Sequence, residues 1–230
     1  MAFKYFLKNS AHIIISYGPV EAFYFFQNYF RFKKKINTKI NTIKADFELT
    51  EPGESYNKYL DTGYWIFENL KRIYVLELHK QKPKSILDLG TGAGYFPYLC
   101  KQYGHHVVAL DMDNNDMYNK IISLLGIDRI NHKISFGQDL PLLQTSKFDL
   151  ITAFMICFNN HKQENLWHTL EWEWLLSLLF KHVYSDGKIF LSFNEESAKN
   201  PLDEDLKNYF LKYNPIVNQI DFMLNKPNSI

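Results

Sequence analysis

Apolar positions recur at near-helical spacing through the first 45 residues, and Pro19 stands where it can open a helix over residues 20–32. The apolar stretch 12–26 is interrupted by His12, Gly18, Pro19 and Glu21, so it is too short and too polar to span a bilayer. Residues 46–60 contain Pro52 and Gly53 and read as a loop. A second helix is expected over residues 62–80, with Trp65, Leu70, Ile73, Leu76 and Leu78 as its apolar positions and Lys82, Pro83 and Lys84 ending it. From Ser85 the period changes. Short apolar or alternating runs at 85–89, 107–110, 130–136, 148–154 and 188–193 read as strands. Between them, residues 95–103, 114–125 and 163–183 read as helices, the second closed by Gly126, and Ser185, Asp186 and Gly187 read as a turn. Beyond Asn194, residues 202–213 read as a helix and 216–224 as a last strand. Strands alternating with helices imply a parallel sheet with right-handed crossovers and helices on both faces. The expected fold is α/β, a doubly wound and mostly parallel sheet of six or seven strands with an N-terminal helical cap.

Length and charge narrow the class. A chain of 230 residues fits one domain with a small appended element. The division expected is a leader over 1–60 and a main domain over 61–230. The net charge is +1, and only residues 31–35 form a basic run, which disfavours nucleic acid as a partner. Cys100 and Cys157 form no Cys-x-x-Cys pair and no metal-ligand spacing with histidine, so neither a disulfide framework nor a metal site is expected. That usage fits a reducing cytoplasm, and residues 1–10 lack the apolar core of a signal peptide. Aromatic residues make up 17% of the chain, enough to fill a core and to line a ligand pocket. The helix at 20–32 fits several roles: packing on the main domain, a lid, a dimer face or a membrane-surface helix.

The chemistry gathers at the glycine turn from Asp88 to Gly94, directly after a strand and directly before a helix. In a doubly wound sheet, ligands bind beyond the carboxyl ends of the strands, near the point where strand order reverses. Gly90, Gly92 and Gly94 permit unusual backbone angles and close approach of a ligand to the main chain. The following helix N-terminus offers N–H groups and partial positive charge. A dinucleotide turn has the spacing Gly-x-Gly-x-x-Gly; here it is Gly-x-Gly-x-Gly, and Tyr95 occupies the position of the last dinucleotide glycine. Asp88 is a poor neighbour for pyrophosphate and a good one for a ligand carrying an ammonium and a sulfonium.

At these residues the sequence resembles the class I S-adenosylmethionine-dependent methyltransferases, which are Rossmann-like. The resemblance rests on residues 86–96, on 108–111 ending in Asp111, on Lys147, Phe148, Asp149, Leu150 and Ile151, and on Asp186, Gly187 and Lys188. Its motif-level likeness is to bacterial small-molecule and glycan types. It implies S-adenosylmethionine as cofactor, with S-adenosylhomocysteine as product. Asp88, Gly90, Thr91, Gly92 and Gly94 would hold its methionine part and Asp111 its ribose hydroxyls; Met112 would lie against adenine, and Tyr95 is a further cofactor-binding candidate. Asp139 is the candidate for the adenine amine, with Phe136 or Gln138 as alternatives, and Phe154 lies beside the cofactor. The family closes its sheet with an antiparallel hairpin, whereas only one convincing C-terminal strand is legible here; another could fall within 208–213, read above as helix.

The acceptor site is less defined. Families that methylate amide or nucleobase nitrogen carry an Asn/Asp-Pro-Pro-aromatic motif after the fourth strand, and residues 153–160 contain no proline. His161 is the first candidate for a base that takes a hydroxyl proton, and Glu171 the second. His168 and Glu171 lie three apart, which is too little for a metal site. Tyr56, Tyr64, Trp65, Asn159 and Asn160 are candidate substrate contacts. His105 and His106 are expected to be exposed in a turn. The reading is O-methylation of a small molecule or sugar-containing precursor in the cytoplasm. RNA or protein methylation, or a non-catalytic module of the same fold, are the alternatives.

Overall fold

The computed structural model describes residues 2–50, 55–142, 145–156, 158, 167–193, 204–213, 216–217 and 221–227. The chain divides into two compact units, Met1–Lys82, Gly92–Tyr103 and Asp113–Asp128 forming the first, and Pro83–Thr91, Gly104–Met112 and Arg129–Ile230 the second.

The first unit is helical. Helix α1 (Ala2–Thr50) is kinked at Gly18, whose φ of 76° is left-handed, with Pro19 immediately after it. Beyond the kink, Ala22, Phe25, Tyr29, Phe32, Ile36 and Ile40 are buried at steps of three or four, the stripe expected of a helix packed along one side. The loop expected over 46–60 is replaced by helix up to Thr50 and by a 3-10 turn over Ser55–Leu60. Between Pro19 and Pro52 there is no glycine or proline to break the helix, and α1 runs on to Thr50. Helix α2 (Thr62–Val75) is capped by Asp61, whose carboxylate accepts from the Tyr64 amide at 3.1 Å. It stops short of the expected Lys80 because Glu77 turns left-handed at φ 53°, and a separate 3-10 turn spans Leu78–Lys80. Phe25 meets Phe67 and Tyr74 edge to face at 5.2 and 5.0 Å, which locks α1 on α2. Helices α3 (Tyr95–Gln102) and α4 (Asp116–Leu125) join them, and Lys39 Nζ donates to the Leu124 carbonyl at 2.7 Å. Asn115 caps α4 at its start and Gly126, at φ 66°, ends it.

The second unit holds the entire sheet. Among the described residues, seven strands run in the order β3-β2-β1-β4-β5-β7-β6. They are β1 (Ser85–Leu89), β2 (His106–Asp111), β3 (Arg129–Asn131), β4 (Phe148–Ile156), β5 (Val183–Phe193), β6 (Ile216–Val217) and β7 (Asp221–Asn225). The pairs among β1 to β5 are parallel; β7 is antiparallel to both β5 and β6. This is the mostly parallel, Rossmann-like sheet expected. Leu87, Leu89, Ile151, Ala153, Ile189, Leu191, Phe222 and Leu224 alternate along their strands and join one core with Trp172, Leu175, Leu176 and Leu179 of α5 (Thr169–Lys181) and Leu206 and Phe210 of α6 (Glu204–Leu211).

Several boundaries moved. The third strand covers three residues rather than 130–136. It is an edge strand, and a turn at Ser135–Gln138 with Gly137 at φ 80° takes the chain away from β2. Helix α5 begins at Thr169, while residues 163–166 of the expected helix lie outside the described residues. The expected last strand divides into β6 and β7, so the antiparallel hairpin is present inside 216–225, and 208–211 is helix. His105 is buried rather than exposed, because its Nδ1 accepts from the Lys84 amide at 3.1 Å at the start of β1. Asp149 ties the same corner, accepting from the Ser85 amide at 2.7 Å and pairing with Lys84 Nζ at 3.4 Å. The expected turn at Ser185, Asp186 and Gly187 is a bulge inside β5: Phe148 pairs with Val183, yet Leu150 pairs with Lys188.

Two stability predictions follow from these environments. Burial raises Tyr29 to about 12 and pushes Tyr95, Tyr74 and Tyr103 above the ordinary phenol value. The unfolded chain releases these protons near pH 10 while the folded chain keeps them, so stability is intact below about pH 10 and falls as pH rises beyond it. Urea midpoints measured at increasing alkaline pH should decline from that point. At Gly187 an added Cβ would lie 2.9 Å from the Phe148 carbonyl oxygen and 3.0 Å from that of Asp149. Gly187→Ala should therefore destabilise by about 1–3 kcal/mol and lower the melting midpoint by several degrees.

Candidate functional site

Asp88, the next-to-last residue of β1, is 2% exposed. A carboxylate so enclosed needs hydrogen-bond donors. Thr152, its register partner on β4, donates to Oδ1 at 2.7 Å, and Thr91 donates to Oδ2 at 2.7 Å from within the glycine turn. Thr152 is itself fully buried. Both oxygens are thereby oriented by hydroxyls from different parts of the second unit.

The turn leaves β1 by continuing its pairing: the Gly90 amide donates to the Leu110 carbonyl of β2 at 2.8 Å. Gly90 and Gly92 are left-handed at φ 67° and 55°, and a Cβ added at either would meet no heavy atom within 4 Å. Backbone angle, and not crowding, requires glycine there, and the space in front of the main chain stays open. Gly94 differs. As the residue preceding α3 it has φ 77°, and a Cβ would come 3.1 Å from Ile122 Cγ1 of α4, inside the first unit.

Asp111 ends β2, one strand away from β1 in the sheet. Its Oδ1 accepts from the Met112 amide at 2.8 Å, which fixes the carboxylate at the strand end, and its carbonyl accepts from His132 at 3.0 Å. Met112 is exposed. Strands β2 and β4 flank β1 on opposite sides, so strand order reverses at β1, where doubly wound sheets bind ligands beyond the carboxyl ends.

The other expected residues distribute unevenly. In the first unit, Tyr95 is buried and its hydroxyl donates to the Tyr59 carbonyl at 2.7 Å. Trp65 lies parallel to Tyr59 and to Tyr95, with centroids 4.6 and 6.5 Å away, and Tyr64 meets it edge-on at 5.1 Å. Tyr95, Trp65 and Tyr64 are thus one aromatic cluster; the Tyr56 side chain lies outside the described residues. In the second unit, Phe136 is exposed and meets Trp174 at 5.6 Å, Phe154 meets Phe190 at 5.4 Å, and Asp139 is exposed. Glu171 accepts from the His168 backbone amide at 2.9 Å and so caps α5. His161, Asn159 and Asn160 lie outside the described residues. Thr152 was not anticipated. Only the β1–β4 register puts it opposite Asp88, and a threonine in a strand carries no signal of that role. Among the described residues, no group of three or more His, Cys, Asp or Glu is arranged to hold a metal.

A family profile described as a methyltransferase domain matches residues 56–209. The chain belongs to this methyltransferase-domain family, and its mostly parallel sheet has the Rossmann-like arrangement of a methyltransferase fold. No curated protein matches the chain significantly. Among solved structures, DesVI of Streptomyces venezuelae is similar at 16% identity over 56% of this chain and 50% of its own, with TM-score 0.42. A ribosomal protein L11 methylase from Lactobacillus delbrueckii subsp. bulgaricus is 19% identical over 70% of this chain and 80% of its own, with TM-score 0.45. CalS10, an amino pentose methyltransferase from Micromonospora echinaspora, is 17% identical over 56% of this chain and 50% of its own, with TM-score 0.41. The chain thus spans about half the length of DesVI and of CalS10.

Thr152→Val keeps the shape of the side chain and removes the donor to Asp88. A buried carboxylate oxygen then loses a partner, and unfolding free energy should fall by about 1–3 kcal/mol in chemical denaturation.

Proposed function

We propose that this chain transfers a methyl group from S-adenosylmethionine to a hydroxyl of a small molecule or sugar-containing precursor. The observation that carries the donor half is the pair of carboxylates at adjacent strand ends, Asp88 and Asp111, joined to left-handed glycines with open space before them. The residues fit such a ligand. Asp88 offers a buried, oriented negative charge that favours the ammonium and sulfonium end. Asp111 has carboxylate oxygens suited to accept from the ribose hydroxyls. Exposed Met112 offers an apolar surface for adenine, with Phe136 or Asp139 as further candidates for the base.

The acceptor half is supported by the near-neutral net charge and by a segment after β4 without the proline motif of nitrogen methylation. When bound, S-adenosylmethionine supplies an activated methyl carbon on a positively charged sulfur. The chain would hold the acceptor hydroxyl in line with that carbon, so that the new oxygen–carbon bond could form as the carbon–sulfur bond broke toward sulfur, and a base would take the hydroxyl proton. The chain's contribution is alignment and exclusion of water. His161 is the proposed base, because the Glu171 carboxylate is occupied as a helix cap. Tyr56, Tyr64, Trp65, Asn159 and Asn160 are proposed acceptor contacts. The reading also takes residues 61–230 as the catalytic domain, 1–60 as its leader and the cytoplasm as its location.

Titration calorimetry tests the donor half. The folded protein should bind S-adenosylmethionine; Asp111→Ala should weaken binding about 10- to 100-fold, as loss of charge-assisted hydrogen bonds implies, and Asp88→Ala should abolish it. Absence of binding by folded wild-type protein, or full affinity in both variants, overturns the assignment. Transfer of labelled methyl tested on hydroxyl-bearing sugars and small molecules, on RNA and on protein decides the acceptor class.

A further inference from the structure

The outward face of α1 is divided between two chemistries. At 100° per residue, Val20, Phe23, Tyr24, Phe30, Arg31 and Lys34 share one side of the helix, opposite the buried stripe of Ala22, Phe25, Tyr29, Phe32, Ile36 and Ile40. Val20 is 67% exposed, Phe23 64%, Tyr24 51% and Phe30 56%. Arg31, Lys34 and Lys35 are exposed at the C-terminal end of the same face. Four large apolar side chains, each more than half exposed along about three helical turns, form an apolar patch of the kind that marks an interaction surface.

Charge says which partner. Between residues 9 and 44 the cations are Arg31, Lys33, Lys34, Lys35, Lys39 and Lys44, and the sole acid is Glu21. Glu21 is already paired, with Lys80 Nζ at 2.8 Å and His79 Nε2 at 3.3 Å. The segment therefore carries +5 in a chain of net +1, leaving −4 for the remainder. Lys39 is committed to the Leu124 carbonyl and Lys35 to Gln102 at 2.8 Å; the Arg31 guanidinium lies over the Phe32 ring at 4.6 Å, and Lys34 is exposed one turn further on. A second copy of the chain would bring two such cationic faces together. Nucleic acid would use the cations but leaves Val20, and Ile15 beyond the kink at 82% exposure, without a role. An anionic lipid surface takes both halves: apolar side chains enter the acyl boundary while the cations meet phosphate headgroups. No helix among the described residues is long and apolar enough to cross a membrane, so the contact is interfacial.

We propose that α1 docks this protein on anionic lipid bilayers through Val20, Phe23, Tyr24, Phe30, Arg31 and Lys34. The proposal is independent of the methyl-transfer reading. It is tested on the full chain by flotation with vesicles of phosphatidylcholine alone and of phosphatidylcholine mixed with phosphatidylglycerol. The chain should float with the anionic vesicles, and raised salt should release it. Arg31→Gln with Lys34→Gln should lower partitioning about tenfold, and Phe23→Ser with Phe30→Ser at least as much. Circular dichroism and melting curves equal to wild type establish that these surface variants fold. No flotation, equal flotation on neutral vesicles, or flotation unchanged in both folded variants overturns the proposal. So does a concentration-dependent dimer that Phe23→Ser dissociates, or a single-stranded RNA oligomer that binds more tightly than the vesicles and needs Arg31 and Lys34.

Discussion

A single buried carboxylate governs the architecture around the end of β1. Removing Asp88 from water costs several kcal/mol unless its oxygens are taken up. Thr152 takes one from β4 and Thr91 takes the other from the turn, so strand register and turn geometry answer to the same group. A one-residue slip of β4 would turn Thr152 to the opposite face and bring an apolar neighbour toward Asp88. The glycine turn is likewise held at its root by the Gly90 amide on the Leu110 carbonyl, which anchors it to β2. Rigid support of this kind suits a polar group intended for a ligand.

Sheet order does the rest. With β2 on one side of β1 and β4 on the other, the chain reverses direction of winding there, and loops beyond the strand ends diverge. The motifs that carry the family resemblance divide into two kinds. Asp88, the glycines and Asp111 lie where chemistry can use them. Asp149 and Gly187 are architectural: one ties β1 to β4 through the Ser85 amide, and the other allows the β5 bulge to pass close to carbonyls of β4.

Helix α1 shows how far a local pattern carries. Its buried stripe was readable as helical periodicity, yet which of its faces is covered depends on α2, through Phe67 and Tyr74, and on the Leu124 carbonyl of α4. Its length is not legible in the sequence, because polar residues after 45 resemble a loop when no tertiary partner is known. In the same way the 130–136 alternation suggested a long third strand, but alternation states only that a segment can present two faces. Whether a ladder forms depends on a neighbour, and past Asn131 the turn at Gly137 carries the chain off.

The amino-acid sequence by itself determined the α/β class, the near-complete set of elements, the glycine turn and the acidic ends of β1 and β2. These are local properties: periodicity, backbone permissiveness and a carboxylate at a strand end. Tertiary structure alone decided that Thr152 supports Asp88, that His105 is buried against the Lys84 amide, that Glu171 caps α5, and that the C-terminal segment folds back as β7 between β5 and β6. Each of these depends on register or on a partner distant in sequence, and a pairing between remote segments leaves no periodic trace in either one.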